Sequence, residues 1–488
     1  MAMFSPIRFK QTTCLMALCL LWLVPVVLPL NAASGGTVVP PTLLTTFAKP
    51  TPVANGYLGT TLTGVGVDRV LIGSAQDSSD ALFAGRAYLF KTNGTLLTTF
   101  SKPTPVAFDS FGIAVATVGS GHVVIGADQN KAGGLTAGAA FLFSTNGVLV
   151  TTFTNPTPAD YDRFGASLAP VGSGHVLIGA YDDDIGAVDA GAAYLFSTNG
   201  ALLTTFTSPN PSGSGYFGYS VAAVGPDRVL IGAHGDNLGA SQTGAAYLFN
   251  TNGTLLMTFT NPSPASGDQF GYAVSAVGTD RVLIGAPGAD LGPADTGVAY
   301  LFDTNGTLIV TYSNPTPEFG DSFGSAVASA GSGRILIGAN GDNTGAAHAG
   351  AAYLFGTNGA LIATITNPTP SILDRFGASV AATESGELLV GAPLDSPGVP
   401  SAGAAYLFGV STDTSTAVAP TITTTSTGTT LTLFWPDSAT GYRVESTLSF
   451  TPTIIWNNVT GTFQTNGGFI SIGFPMSGLQ KFYRLVKP

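Results

Sequence analysis

The sequence predicts an all-β protein: a seven-bladed β-propeller of 53-residue repeats followed by a small β-sandwich-like domain. Three observations predict it. The phrase GRAYLFKTNG around Tyr88 returns as GAAFLFSTNG around Phe141, then around Tyr194, Tyr247, Tyr300, Tyr353 and Tyr406, every step being 53 residues. Each unit holds four short runs of strand-forming residues bounded by turn chemistry. The fourth run also appears as TLLTTF from Thr42, before any complete unit, and is missing after the last AAYLF from Ala404. A stacked solenoid has no use for that permutation. In a closed ring the N-terminal strand 42–47 completes the last blade and leaves no open end.

Before the repeats, residues 1–33 are a different material. Arg8 and Lys10 precede an apolar run from Cys14 to Leu30, followed by Ala32, Ala33 and Ser34. That order of basic, apolar and small residues predicts a secretory signal peptide. Both cysteines, Cys14 and Cys19, fall inside it, so the exported chain is expected to carry no disulfide. No later run is long and apolar enough for a membrane span. Loss of Arg8 and Lys10 leaves 15 basic against 28 acidic residues, a net charge of −13. Such a surface repels phosphate backbones and argues against nucleic acid as a partner.

Residues 34–410 carry the propeller. In the third unit the four strands read FGASLAPV from Phe164, HVLIGA from His175, AAYLF from Ala192 and ALLTTF from Ala201. The second and third are near-continuous apolar runs, the pattern of strands covered on both faces by neighbouring sheets. The first, rich in Gly, Ala and Val, suits the narrow space at the axis. Gly-Ser-Gly or Pro-Asp joins strands one and two, and Thr-Asn-Gly joins three and four, all tight hairpin chemistry. The other connections, such as DDDIGAVDAG and TSPNPSGSGY, are long. In a meander they share one end of every blade, giving one smooth face and one long-loop face.

A second phrase keeps the same register: Leu58, Phe111, Phe164, Phe217, Phe270, Phe323 and Phe376 each precede a glycine. The segments DRFGASLAPVGSGHVLIGAYDDD from Asp162 and DQFGYAVSAVGTDRVLIGAPGAD from Asp268, each followed by AYLF, resemble the FG-GAP repeats of integrin α-chain propellers and of exported bacterial proteins. The resemblance covers about Thr42 to Phe408. It implies a propeller outside the cytoplasm that binds protein or surface ligands. Integrin-type repeats often carry an Asp-rich calcium loop between the first two strands. Here that place holds only VGSGH at Val171, VGPDR at Val224 or VGTDR at Val277, too short and too poor in oxygen ligands, so the family's metal sites are not carried over.

Asp109, Asp162, Asp268, Asp321 and Asp374 stand two residues before the FG phenylalanine. A carboxylate ring on the long-loop face would attract a cation or a basic partner. Equally, Asp in this place caps the turn entering the strand. Asp77, Asp183, Asp236, Asp342 and Asp395 follow the IGA phrase, and of these Asp183, Asp236 and Asp342 join the first set as ligand-facing candidates. No metal or other cofactor is expected, since EF-hand spacing is absent. If a cation bound, Asp182, Asp183, Asp184 and Asp189 would be the place. Arg69, His122, His175, Arg228, Arg281, Arg334 and Glu387 open the second strands and would make the smooth rim the more basic one. His234 and His348 lie in loops of different units without zinc-ligand spacing. The Asp cluster of the third unit and the loop of the first are the visible asymmetries among the copies.

Residues 411–428 read as a Thr/Ser-rich linker and 429–488 as a β-domain of about five strands, with Trp435, Trp456 and Tyr483 in its core. No Gly-x-Ser-x-Gly elbow, HExxH motif or Walker loop is present. The expectation is a secreted or cell-surface, non-catalytic, monomeric module that contacts a protein or surface polymer through its long-loop face. The alternatives are a structural envelope or matrix component and, less favoured, a carbohydrate-active enzyme.

Overall fold

The computed structural model describes residues 40–131, 136–410, 423–427, 430–436, 443–447, 457–466, 469–475 and 482–486. The expected signal peptide, residues 411–422 of the expected linker and Trp456 lie outside them. Val38–Ser411 forms one compact unit, and Thr412–Pro488 belongs to another. Among the described residues no helix is long and apolar enough to cross a membrane.

The larger unit holds seven four-stranded antiparallel sheets. Sheet 1 is Leu58–Val65, Arg69–Ser74, Arg86–Lys91 and Leu96–Phe100. Sheets 2 to 6 repeat that meander with first strands Val115–Val118, Ser167–Val171, Phe217–Ala223, Ala273–Val277 and Phe323–Ser329. Sheet 7 takes Ser379–Ala382, Leu388–Ala392 and Ala404–Gly409 from one end of the chain and Thr42–Phe47 from the other. First strands of neighbouring sheets pack on one another in a closed cycle, which makes them the inner strands.

Second and third strands are buried almost throughout, as in HVLIGA and AAYLFS of sheet 3, because each sheet is covered on both sides. The core is correspondingly divided into clusters that each join two successive sheets, and one of them joins sheet 7 to sheet 1 through Leu389, Leu407, Phe47, Val70 and Phe90. In sheets 2 to 7 the FG phenylalanine meets the phenylalanine of AYLF edge-on, Phe164 on Phe196 at 6.0 Å and 90°, and in sheet 1 Leu58 takes its place.

The glycines of the two phrases explain why both recur without drift. Gly218 follows the FG phenylalanine with φ of +92°, and a Cβ there would lie 2.3 Å from the Ala192 carbonyl oxygen of sheet 3. Gly179, of the IGA phrase, faces it, and its Cβ would meet the Gly218 carbonyl oxygen at 2.0 Å. Two backbones touch at this point, so neither position tolerates a side chain. The same pair closes the ring, where Gly391 of sheet 7 faces the Gly59 carbonyl of sheet 1.

In the second unit, Thr423–Thr427, Thr430–Pro436, Phe469–Pro475 and Gln464–Asn466 form one sheet, and Asn457–Asn458, Arg443–Thr447 and Phe482–Val486 another. Leu431, Leu433, Trp435, Val444 and Ile472 are its core, with Tyr483 packed against them. The linker reading to 428 is corrected here: Thr423–Thr427 is a strand paired with Thr430–Phe434. Its threonines are β-branched and suit a pleated edge as well as a linker.

Candidate functional site

The eight acidic residues expected on the ligand-facing surface are buried instead. Asp109, Asp162, Asp268, Asp321 and Asp374 are 0–2% exposed, and each carboxylate accepts a backbone N–H three residues upstream, from Val106, Ala159, Ala265, Glu318 and Ser371. Asp183, Asp236 and Asp342 are buried as well. They are members of a polar box repeated at every seam. In the third copy the Asn155 amide donates to Asp162 Oδ2 at 2.7 Å and Asp183 Oδ2 at 3.2 Å, while the Tyr194 hydroxyl donates to Asp183 Oδ2 at 2.6 Å. Asn314 and Asn367 build the same bridges in the sixth and seventh copies.

The charge of the box differs from copy to copy. Lys49 pairs with the buried Asp77 at 3.4 Å and Lys102 with Asp109 at 2.9 Å, and in both boxes the other acidic position is neutral, Gly56 or Asn130. With Asn155, Asn314 or Asn367 in place of the Lys, two carboxylates share a site without a cation, and with Asn261 the second acidic position is Ala289. Burial pushes Asp162, Asp321 and Asp374 up to about 6, and the second carboxylate of each box adds to the effect. Asp77 goes the other way: donors from Ser79 and Tyr88 and the Lys49 charge outweigh its burial and hold it below the usual range.

Asp182, Asp183, Asp184 and Asp189 point to separate partners. Asp182 pairs with Arg163 at 3.5 Å, Asp183 belongs to the box, and Asp184 accepts the Asp189 N–H at 2.9 Å. Among the described residues no group of three or more His, Cys, Asp or Glu is arranged to hold a metal. At the smooth rim Arg69, Arg228 and Arg281 lie beside Asp68, Asp227 and Asp280 at 3.6–3.7 Å, which offsets its basic character.

What distinguishes one part of the long-loop face is aromatic. The seven copies serve as an internal alignment, and three positions in it place aromatic side chains on this face in some copies and not in others. The residue before the FG phenylalanine is Tyr57, Ser110, Arg163, Tyr216, Gln269, Ser322 or Arg375, held with φ between 54° and 60° in all seven copies. A non-glycine residue in that region is strained, and here a uniform strained frame presents unlike side chains. The residue two after that phenylalanine is aromatic only as Tyr219 and Tyr272, and the residue after the IGA phrase only as Tyr181 and His234.

These exceptions meet. Tyr216 stacks on His234 at 5.1 Å, Tyr219 contacts His234 at 4.2 Å and Tyr272 at 4.9 Å, and Tyr181 lies 5.2 Å from Tyr219. All five are partly exposed. Burial lowers His234 to about 4, so its ring is neutral, and Nδ1 is enclosed without a hydrogen-bond partner. On one flank Arg163 pairs with Asp128 and Asp182. On the other, Tyr272 opens into a cleft of about 270 Å³ lined by Gln269, Asp295, Phe319, Ser322, Ser325 and Asn340. Phe319 is 68% exposed, and Ser325 Oγ is enclosed without a partner. A second cleft, about 490 Å³, lies between sheets 2 and 3 and includes Val118, Leu142 and Thr151. Those residue types recur in most copies, so it is a feature of the seam.

Of this strip, the sequence reading named only His234 and Asp182. Aligning the copies by position, and asking which columns change chemistry, would have found the tyrosines.

The sequence model described as FG-GAP repeat matches residues 149–196, 203–249, 257–302, 317–355 and 362–408. No curated protein matches the chain. Similar solved structures include the WD40 β-propeller domain of Doa1, 15% identical over 77% of this chain and 98% of that one, with a TM-score of 0.46. The β-propeller domain of the Trilobed protease from Pyrococcus furiosus is 11% identical over 69% and 88%, with a TM-score of 0.38. The GH74 xyloglucanase from Xanthomonas campestris is 12% identical over 80% and 59%, with a TM-score of 0.45.

Proposed function

The chain belongs to the FG-GAP repeat β-propellers, and on that premise we propose that it is an exported, non-catalytic binding module whose long-loop face contacts a protein or polymer at the cell surface. The five matched repeats suggest a binding or structural module. The observation that carries the binding reading is the concentration of divergence: the seam glycines recur in every copy, whereas Tyr181, Tyr216, Tyr219, His234 and Tyr272 gather on sheets 3 to 5. A purely structural ring has no need of one unlike sector. Export is supported by the order of residues in 1–33, and a non-catalytic role by carboxylates committed to internal donors.

Sedimentation of the protein with cell-envelope fragments of the producing organism tests this. Binding is expected, to be lost on Tyr216→Ala and Tyr272→Ala but retained on Arg228→Ala and Arg281→Ala at the opposite face. Equal loss from both faces would point to general stickiness and reject the assigned face.

A further inference from the structure

We propose that the aromatic strip and its cleft bind a saccharide chain; the inference rests on the binding-module reading above. A sugar ring offers two unlike surfaces, an apolar face of C–H groups and an equator of hydroxyls. Its site therefore needs aromatic planes next to small polar groups that both donate and accept. The strip has that composition. Tyr216 and Tyr272 supply rings, and beside them lie amides and hydroxyls at Gln269, Ser322, Ser325 and Asn340. His234 Nδ1 and Ser325 Oγ are enclosed polar atoms without partners, the kind of group a ligand hydroxyl satisfies.

Other ligand classes fit less well. An anionic polymer would find no lysine or arginine in the cleft, only the Asp295 carboxylate. A peptide that adds a strand needs an open edge, and the fourth strands, which carry the open edges, stand at the outer rim; a proline-rich peptide docks on aromatic grooves, and the protease-digested fragments separate it from a saccharide. A quaternary amine would suit stacked aromatics and the Asp295 carboxylate, but its ammonium has no N–H to offer and would leave His234 Nδ1 and Ser325 Oγ without partners.

The protein is mixed with envelope fragments that are untreated, protease-digested or oxidised with periodate, which cleaves the vicinal diols of sugars. The expected result is binding that survives protease, is abolished by periodate and weakens about tenfold on Tyr272→Ala, whereas Tyr272→Phe, which keeps the ring, binds nearly as the parent does. Thermal melting checks that both variants are folded. Binding that survives periodate or that choline displaces overturns the saccharide inference while leaving the binding module intact, and binding that Tyr272→Ala leaves unchanged overturns both the saccharide inference and the assigned face. Absence of binding to untreated fragments defeats the module reading itself.

Discussion

One hydroxyl separates tyrosine from phenylalanine on the third strand, and its partner in the loop changes with it. Tyr88, Tyr194, Tyr247, Tyr353 and Tyr406 each donate to a buried carboxylate, at Asp77, Asp183, Asp236, Asp342 and Asp395. Phe141 has no hydroxyl, and the loop residue opposite it is Asn130. Where the loop carries Ala289, Tyr300 donates to Asn261 Oδ1 at 3.0 Å instead. Removing one partner strands the other, and a buried acceptor left short of a donor costs about 1–3 kcal/mol. Tyr353→Phe is therefore expected to lower the urea midpoint by that equivalent. Both acceptors keep a second donor, the Asn314 amide on Asp342 Oδ2 at 3.2 Å and the Ser263 N–H on Asn261 Oδ1 at 3.0 Å, so Tyr300→Phe should lower it less because Asn261 Oδ1 is a neutral acceptor. Equal losses would mean that the hydroxyl acts through packing and not through its acceptor. The capping half of the box was legible, since an Asp entering a turn predicts a short-range backbone bond. The rest was not: Asn155, Asp162, Asp183 and Tyr194 are brought together by the ring, and no local pattern links residues so far apart.

Each outer strand is an open edge, and in this chain none of those strands contains Lys, Arg, Asp, Glu or Pro, the usual deterrents to edge-to-edge pairing. The structure uses a bulge in their place. In sheet 3 the register passes from Leu195↔Thr204 to Phe196↔Leu202, skipping Leu203, and the same shift recurs in all seven sheets. An extra residue twists the edge and interrupts its ladder. It also turns successive apolar residues outward, so Leu202 and Leu203 are 43% and 48% exposed. Replacing both by Thr is expected to leave stability within about 0.5 kcal/mol, as for ordinary surface positions, and to reduce concentration-dependent light scattering. A clear loss of stability would assign the pair to packing instead. Strand identity was legible at this scale because burial on both faces writes an apolar run. Strand limits were less so. The first strand of sheet 3 starts at Ser167, three residues after the expected Phe164, whereas in sheets 4 and 6 it starts at the phenylalanine itself. In the small domain a Thr-rich segment conceals a strand, having composition without pattern.

For the whole molecule, the raised carboxylates set the pH response. Asp128, Asp162, Asp182, Asp321 and Asp374 are pushed up to about 6, chiefly by burial. A carboxylate with a raised folded pKa holds its proton more tightly when folded. Stability therefore increases as pH falls from about 7 through 6, and levels off below the unfolded value near 4. His234, lowered to about 4, works against this between about 6.5 and 4, as one group against five. Melting temperature is expected to be higher at pH 5 than at pH 7.5, and Asp374→Asn should shrink the difference; a lower melting temperature at pH 5 would contradict the assignment. Ring closure governs the same molecule more strongly. Thr42–Phe47 pairs with the third strand of sheet 7 over five registered positions, and Phe47, 1% exposed, lies in the core shared with sheet 1. Leu43 and Leu44 are 44% and 54% exposed and contribute little burial. Deleting residues 34–48 removes roughly five hydrogen bonds at about 0.5–1.5 kcal/mol each, together with one buried phenylalanine. That sum is a large part of the roughly 5–15 kcal/mol by which a domain is ordinarily stable. It also exposes Ala404–Gly409, a buried strand, as a new edge. The truncated chain is expected to melt well below the parent or to aggregate, whereas a chain ending at Ser411 should keep the parent's melting transition. Equal melting of the N-truncated and parent proteins would show that the ring holds without its closing strand.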